Sequence, residues 1–283
     1  MTAVNGLHQD PKPADTLLRR CAHNVVAAVT ALLRAPRLRR PWGIAPRQIG
    51  IAVAVGSAAL LLCMIFIDAA AINAALRLPR WVIWSFDQIT DYGKSGWFLW
   101  PLGVLFLALA ALPYERLTRI SQRVLAALMV RVGFLFLAIG APSLFDTIIK
   151  RMIGRARPLT TGIADPFVFS PFKWTADYAS LPSGHATTAF AVLAAFGTLW
   201  PRWRTIFLVY AVAIAISRIV VTAHYPSDVL AGALVGAGGV VLVRRYFALR
   251  RLGFSLGPAN GIHQYPGPSL KRIKAVAREL LAE

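Results

Sequence analysis

The sequence of 283 residues predicts an all-α integral membrane protein, a bundle of six transmembrane helices. Hydrophobic residues make up 57% of the chain and charged residues only 15%, and the mean hydropathy is +0.58, far above the value for an ordinary soluble domain. The apolar residues fall into six stretches, each near the length of about 20 residues with which a helix crosses a bilayer. Because no internal repeat is evident, one helical membrane domain is the simplest interpretation.

The predicted membrane domain covers residues 49–247. Its fourth and fifth spans are joined by only four residues, 201–204, so they are expected to form an antiparallel hairpin. The six predicted spans are 49–67, 96–112, 124–141, 185–200, 205–221 and 229–247.

A basic segment flanks the membrane domain on each side: an N-terminal arm, 1–48, and a C-terminal tail, 248–283. The arm lacks the short apolar region and small-residue cleavage site of a signal peptide. Apolar residues recur at helical spacing in both segments, which favours amphipathic helices on a membrane surface, although solvated basic tails are an equally good interpretation. The recurring residues are Leu17, Cys21, Val25, Ala28 and Leu32, and Leu270, Ile273, Val276 and Leu280.

The distribution of basic residues predicts the orientation of the chain. A net charge of +19 would suit a nucleic-acid-binding protein, but here the cations flank long apolar runs instead of clustering on a polar face, so no nucleic-acid partner is expected. Of the 31 Lys and Arg residues, 21 fall on the side of the two termini, nine fall on the other, and Arg131 lies inside the third span. The positive-inside rule therefore predicts cytoplasmic termini and, in a bacterial inner membrane, a periplasmic position for the remaining loops.

Three clusters of polar residues lie where the predicted spans meet the outer surface, and they are the candidate functional residues. They are Lys150, Arg157 and Pro158 after the third span; Ser183, Gly184 and His185 at the start of the fourth; and Arg218, His224 and Asp228 between the fifth and the sixth.

The residue types in these clusters indicate an anion site. A helix N-terminus offers unpaired N–H groups to phosphate, with Ser183 as the expected N-cap and Gly184 allowing a ligand to approach the backbone. Lys150, Arg157 and Arg218 would add positive charge, and the two arginines can bind phosphate oxygens through paired N–H groups. Three cations near a membrane surface predict an anionic ligand.

The histidines add chemistry to this site. Of five histidines, only His185 and His224 lie beside predicted spans. Pro226 interrupts the helix after His224, so the carboxylate of Asp228 is expected to fold back towards the imidazole. Asp228 would then fix the tautomer of His224 and leave the other ring nitrogen free to attack, while His185 could protonate a leaving oxygen.

Together the three clusters resemble the signature of the type 2 phosphatidic acid phosphatase (PAP2) family, whose superfamily also holds bacterial acid phosphatases and vanadium haloperoxidases. Eleven positions match in order: Lys150-x6-Arg157-Pro158, Pro182-Ser183-Gly184-His185, and Ser217-Arg218-x5-His224-x3-Asp228. The motifs cover residues 150–228, and the two terminal segments lie outside them.

The resemblance implies a role for each matching residue. His224 would attack phosphorus and form a phosphohistidine, Asp228 would orient it, and His185 would act as general acid and then as base. The remaining residues would bind the nonbridging oxygens of the phosphate; they are Lys150, Arg157, Ser183, Gly184 and Arg218. Family members need no metal, so no cofactor is expected.

The expected substrate is a lipid carrying a phosphomonoester or a pyrophosphate. The residues do not select among phosphatidic acid, phosphatidylglycerol phosphate, undecaprenyl pyrophosphate and lipid A phosphates. Two alternatives remain: a lipid phosphotransferase using the same site, and a non-catalytic membrane protein that binds lipid phosphate. The sequence predicts no oligomeric state.

Two other regions are interpreted as less specific features. Arg151 and Arg155 could attract an anionic headgroup, but a solvated basic flank is the preferred interpretation. Residues 86–100 combine acidic residues, Lys94 and tryptophans, and are interpreted as an interfacial aromatic belt; recognition of the lipid headgroup is the alternative.

Overall fold

The computed structural model describes residues 13–36, 45–257 and 261–282. Within these ranges the chain forms ten α-helices and one two-stranded antiparallel sheet. The helices are α1 (Pro13–Leu33), α2 (Pro46–Phe66), α3 (Asp68–Ala75), α4 (Arg80–Thr90), α5 (Gly96–Ala111), α6 (Arg119–Ile153), α7 (Gly184–Leu199), α8 (Arg204–Val220), α9 (Pro226–Leu249) and α10 (Leu270–Leu281), and the strands are β1 (Phe254–Leu256) and β2 (Ile262–Gln264).

The described residues confirm a mainly helical protein with membrane-spanning helices. Five stretches are long and apolar enough to cross a bilayer: Pro46–Phe66, Arg80–Ala111, Arg119–Ile153, Pro201–Val220 and Pro226–Leu249. They coincide with five of the six predicted spans. The fourth predicted span corresponds to α7, an apolar helix of 16 residues, about 24 Å long at 1.5 Å per residue.

The short sheet is a departure from the all-α prediction. Phe254 of β1 lies opposite Gln264 of β2, and its ring packs 4.8 Å from that of Phe134 in α6. The tail is anchored to the bundle by this buried aromatic residue, which the helical periodicity of the sequence does not indicate.

Helix α6 is much longer than the predicted third span. It begins after Thr118, whose side chain accepts a hydrogen bond from the N–H of Ser121, and it ends at Gly154, which has a φ of 64°. A left-handed residue is a common end of a helix and is least costly for glycine. Lys150 therefore lies in the last turn of α6 and not in a loop.

Helix α7 forms the centre of the bundle and contacts α6, α8 and α9. Its close approach to α9 depends on glycines: a side chain at Gly232 would overlap the carbonyl of Ser183, and one at Gly236 would overlap that of Thr187. Small residues allow membrane helices to pack backbone against backbone. The start of α7 and the start of α9 are thereby held side by side.

The helices of the two terminal segments bind the opposite end of the bundle. Asn24 of α1 donates to the carbonyl of Ala110 at 2.7 Å. Val276 of α10 is buried against Leu117 and Val124, and Glu279 accepts hydrogen bonds from the N–H of Thr118 and the hydroxyl of Ser121. Part of the predicted apolar face of each helix therefore contacts protein, whereas Leu17 and Leu270 are exposed.

The contact between α7 and α9 makes a stability prediction. Gly236→Ala is expected to lower the stability of the folded protein by about 1–3 kcal/mol, because the added methyl group forces two backbones apart. Thermal unfolding in detergent measures the effect. Gly238→Ala is the matched control, since nothing lies within 4 Å of a side chain at that position, and equal melting temperatures for the two variants would contradict the prediction.

Candidate active site

The three polar clusters meet at the end of the bundle where α6 and α8 finish and α7 and α9 begin. The N–H of Ser183 donates to the carbonyl of Asp228 at 2.9 Å, which joins the second cluster to the third. A side chain at Gly184 would lie 3.0 Å from Nζ of Lys150, which places the lysine over the start of α7. The chain thus brings residues separated by more than seventy positions into one site.

His224 lies in a tight turn between α8 and α9. Its N–H donates to the carbonyl of Arg218 at 3.2 Å, and the turn passes through Thr222, which has a φ of 52°. The imidazole is buried, with 3% of its surface exposed. Its Nδ1 lies 3.7 Å from Oδ2 of Asp228, within ion-pair range but beyond a direct hydrogen bond.

The hydroxyl of Ser180 contacts both Asp228 and His224. It donates to Oδ2 of Asp228 at 2.6 Å and lies 3.5 Å from Nδ1 of His224. The N–H of Tyr225 donates to the same carboxylate oxygen at 2.9 Å. Asp228 therefore folds back across Pro226, as the sequence predicts, and faces Nδ1, which leaves Nε2 as the ring nitrogen available to a substrate.

Arg155 is placed differently from its sequence interpretation. Instead of forming a solvated flank, its side chain is fully buried, with 0% of its surface exposed, and Nη1 donates to Oδ1 of Asp228 at 2.6 Å. The solvated interpretation was wrong for Arg155, because a buried carboxylate draws the guanidinium inward. Arg151 does lie near the surface, with its guanidinium over the ring of Trp174.

Three of the predicted phosphate-binding residues carry polar atoms that are buried and, among the described residues, without a hydrogen-bond partner. These atoms are Nε of Arg157, Nε of Arg218 and Oγ of Ser183. Ser183 is the N-cap residue of α7, but its side chain makes no capping hydrogen bond, which corrects the expected role. Buried donors without partners are costly, and an anion between them would satisfy them.

Lys150 and His185 lie close to the start of α7. Nζ of Lys150 pairs with Oδ2 of Asp146 at 2.8 Å, and the ring of His185 packs against Gly93. Both line a cavity of about 210 Å³, together with Lys94, Ser143, Asp146 and Thr188.

The two histidines belong to one electrostatic environment, because the positive charge of Arg218 acts on both. Within the described ranges, no three His, Cys, Asp or Glu side chains are grouped so that they could hold a metal ion.

Burial controls the charge of His224. Loss of solvent lowers the pKa of the imidazole from 6.5 to about 4; Asp228 opposes the shift, and the positive charges of Arg218 and Arg157 add to it. The ring is therefore neutral near pH 7, which is the form of histidine that can act as a nucleophile.

Comparison with known proteins identifies the family. The model of the PAP2 superfamily matches residues 131–252. A lipid A 1-phosphatase from Rhizobium johnstonii is 35% identical over 201 residues, covering 71% of this chain and 81% of that protein. The chain belongs to the PAP2 superfamily.

A second curated relative agrees with this assignment, and two solved structures are similar to part of the chain. A lipid A 1-phosphatase from Rhizobium etli is 35% identical over 173 residues, covering 61% of this PAP2 chain and 74% of that protein. Among solved structures, Aquifex aeolicus LpxE has 21% identity and a TM-score of 0.45, covering 63% of this chain and 95% of its own. A transmembrane PAP2 type phosphatidylglycerolphosphate phosphatase from Bacillus subtilis has 20% identity and a TM-score of 0.42, covering 80% and 95%.

The resemblance inferred from the three motifs is thus confirmed, and the matched region contains every predicted site residue. This PAP2 protein is a lipid phosphate phosphatase and an integral bacterial membrane protein.

The lowered pKa of His224 gives a pH prediction. Because the folded protein favours the neutral ring, this contribution to stability is present above pH 6.5 and is lost as the pH falls towards about 4. An NMR titration of protein labelled at its histidine rings should show one signal with a midpoint near 4, assigned by its loss in His224→Gln. A midpoint at 6.5 or above for that signal would contradict the prediction.

Proposed function

We propose that this PAP2 phosphatase hydrolyses a phosphate ester of lipid A through a phosphohistidine on His224, without a metal cofactor. The observation that carries the proposal is a buried imidazole, whose lowered pKa favours the neutral form, next to donors of Arg157, Arg218 and Ser183 that have no partner in the part of the chain that the structure describes. The relatives from the two Rhizobium species, named lipid A 1-phosphatases, support lipid A as the substrate and its 1-phosphate as the group removed.

The donors of the site would bind the phosphate first. Nε–H of Arg157, Nε–H of Arg218 and the hydroxyl of Ser183 would donate to nonbridging oxygens, and the free N–H groups at the start of α7, including that of Gly184, would add the positive end of a helix dipole. Lys150 keeps donors beyond the one that pairs with Asp146, because an ammonium has three. These groups would stabilise the charge that develops in the transition state.

Chemistry would then proceed in two displacements. Nε2 of His224 attacks phosphorus and forms the P–N bond while the P–O bond to the lipid breaks, and His185 gives its proton to the departing oxygen. A water molecule next attacks phosphorus, His185 takes its proton, and the P–N bond breaks to release inorganic phosphate. Asp228 keeps Nδ1 protonated and facing it, so that the imidazolium formed in the first step is stabilised.

The segment that precedes α5 would contribute to headgroup recognition. Lys94 lines the cavity beside His185 and pairs with Asp91 at 2.8 Å on the surface, and Thr90 accepts a hydrogen bond from Arg218. These contacts support the second interpretation of residues 86–100, in which their polar side chains meet the lipid headgroup. The tryptophans of the same segment are exposed where an interfacial belt would lie.

The proposed enzyme has six spans, of which α7 is the fourth along the chain, with cytoplasmic termini and a periplasmic active site. Support comes from the charge distribution, since 21 of the 31 basic residues lie on the side of the termini. Two features support α7 as a span: it is apolar, and it lies between α6, α8 and α9. A helix of this length can cross the membrane because the neighbouring helices shield its ends.

The reaction is tested by phosphate release from a panel of lipids in detergent, with EDTA present and no acceptor lipid added. Wild type is expected to release phosphate from lipid A faster than from phosphatidic acid or undecaprenyl pyrophosphate. His224→Ala is expected to lower the rate by at least about 10⁴-fold, because it removes the nucleophile, and Asp228→Asn to lower it severely.

The matched control is His23→Ala, a histidine of α1 at the opposite end of the bundle, which should keep the wild-type rate. Full activity of His224→Ala would refute the phosphohistidine mechanism. Release that requires an added acceptor lipid would favour a phosphotransferase, and loss of activity in EDTA would exclude a metal-free reaction.

Topology is tested with single cysteines in a background that carries Cys21→Ser and Cys63→Ala. Residues Ile163 and Leu281 have 67% and 86% of their surface exposed and lie at the two ends of the bundle. In spheroplasts, a membrane-impermeant maleimide should label Ile163→Cys and leave Leu281→Cys unlabelled until the cells are broken. The opposite labelling pattern would contradict a periplasmic active site.

A further inference from the structure

A buried charge network lies behind the proposed catalytic residues, and its centre is Arg155. Nη1 of Arg155 donates to Oδ1 of Asp228 at 2.6 Å and to the hydroxyl of Ser227 at 2.7 Å. Nη2 donates to Oδ2 of Asp68 at 2.7 Å, and Nε donates to the carbonyl of Pro166 at 3.0 Å. The guanidinium also lies over the ring of Tyr225, 4.5 Å from its centroid.

Asp68 is the far end of this network. It is the first residue of α3, directly after the first membrane span, and it is fully buried. Its Oδ1 accepts a hydrogen bond from the N–H of Ser227 at 2.9 Å, and its Oδ2 accepts one from the hydroxyl of Ser227. Asp68 therefore binds Ser227 in the first turn of α9, one residue before Asp228. It connects the first span to the turn that carries His224.

The number of charges in this network matters for the reaction. Asp228 paired with Arg155 alone would form a neutral pair and leave no net charge to face an imidazolium. The carboxylate of Asp68 binds the other side of the same guanidinium, so two acids share one base and one negative charge remains. In a buried site this charge acts strongly on a histidine that becomes positive when it is phosphorylated.

We propose that Asp68 and Arg155 are positioning residues for the phosphatase reaction: Arg155 holds Asp228 ionised and directed at Nδ1 of His224, and Asp68 holds Arg155 in place and leaves the network with one negative charge. Neither touches the substrate, and both act through Asp228. The inference deepens the proposed function and rests on it. It assigns a catalytic consequence to a residue outside the three motifs and outside the region that the family model matches.

Asp68→Asn tests the proposal, because the amide keeps the shape of the side chain and removes its charge. We expect kcat to fall by about tenfold or more, with KM and the inhibition constant of inorganic phosphate unchanged within about twofold, since the phosphate-binding residues are not altered. Glu279→Gln is the control: it removes a carboxylate that also binds backbone and hydroxyl groups, at the opposite end of the bundle, and should leave all three constants unchanged.

A purely structural role predicts a different result. It would lower the yield of folded protein and the melting temperature, while the folded fraction kept the wild-type kcat. If Asp68→Asn does not fold, Ser227→Ala decides the question, because it removes the hydroxyl between Asp68 and Arg155 without leaving an unpaired charge; we expect a smaller fall in kcat with an unchanged KM.

Wild-type kcat in both folded variants, or a raised KM with an unchanged kcat, would overturn the inference and leave the proposed function standing. A wild-type protein that releases no phosphate from any lipid of the panel would overturn both.

Discussion

The arrangement of the site depends on the hydrogen bonds that the carboxylate of Asp228 accepts. It accepts hydrogen bonds from Arg155, from Ser180 and from the N–H of Tyr225, and the carbonyl of the same residue accepts one from Ser183. A buried carboxylate is stable only when it is paired and fully hydrogen-bonded. By meeting that requirement, Asp228 joins the loop after α6, the start of α7 and the turn that carries His224.

The acidic and the basic side chains near this carboxylate differ in how fully they are hydrogen-bonded. Asp68, Asp146 and Asp228 each have charged or polar partners within the protein, whereas Arg157 and Arg218 keep a buried Nε without one among the described residues. In the proposed function, a dianionic phosphate group would supply the negative charge and the acceptor oxygens that these donors need, before any lipid is recognised.

The sequence predicts the parts of this protein that follow from local patterns. Bilayer-length apolar runs locate the spans, and the break at Pro226 places Asp228 opposite His224. The length of α6 is not predictable from hydropathy, because the helix continues through polar residues until Gly154 ends it. Asp68, Ser180 and Thr90 carry no local signal either: each is a common residue at the end of an apolar segment or in a loop, and only tertiary packing brings it to the site. Arg155 was misinterpreted for the same reason, since its partners are 73 and 87 positions away.

The glycines of α9 have a consequence for the chemistry. Gly232 and Gly236 let the backbone of α9 lie directly against that of α7. His224 lies two residues before α9 begins at Pro226, and His185 is the second residue of α7. The two imidazoles are therefore attached beside one closely packed pair of helices, a unit that limits changes in their separation. In the proposed cycle, where one imidazole carries the phosphoryl group and the other moves the proton in both steps, such a unit keeps the reorganisation free energy of each step low.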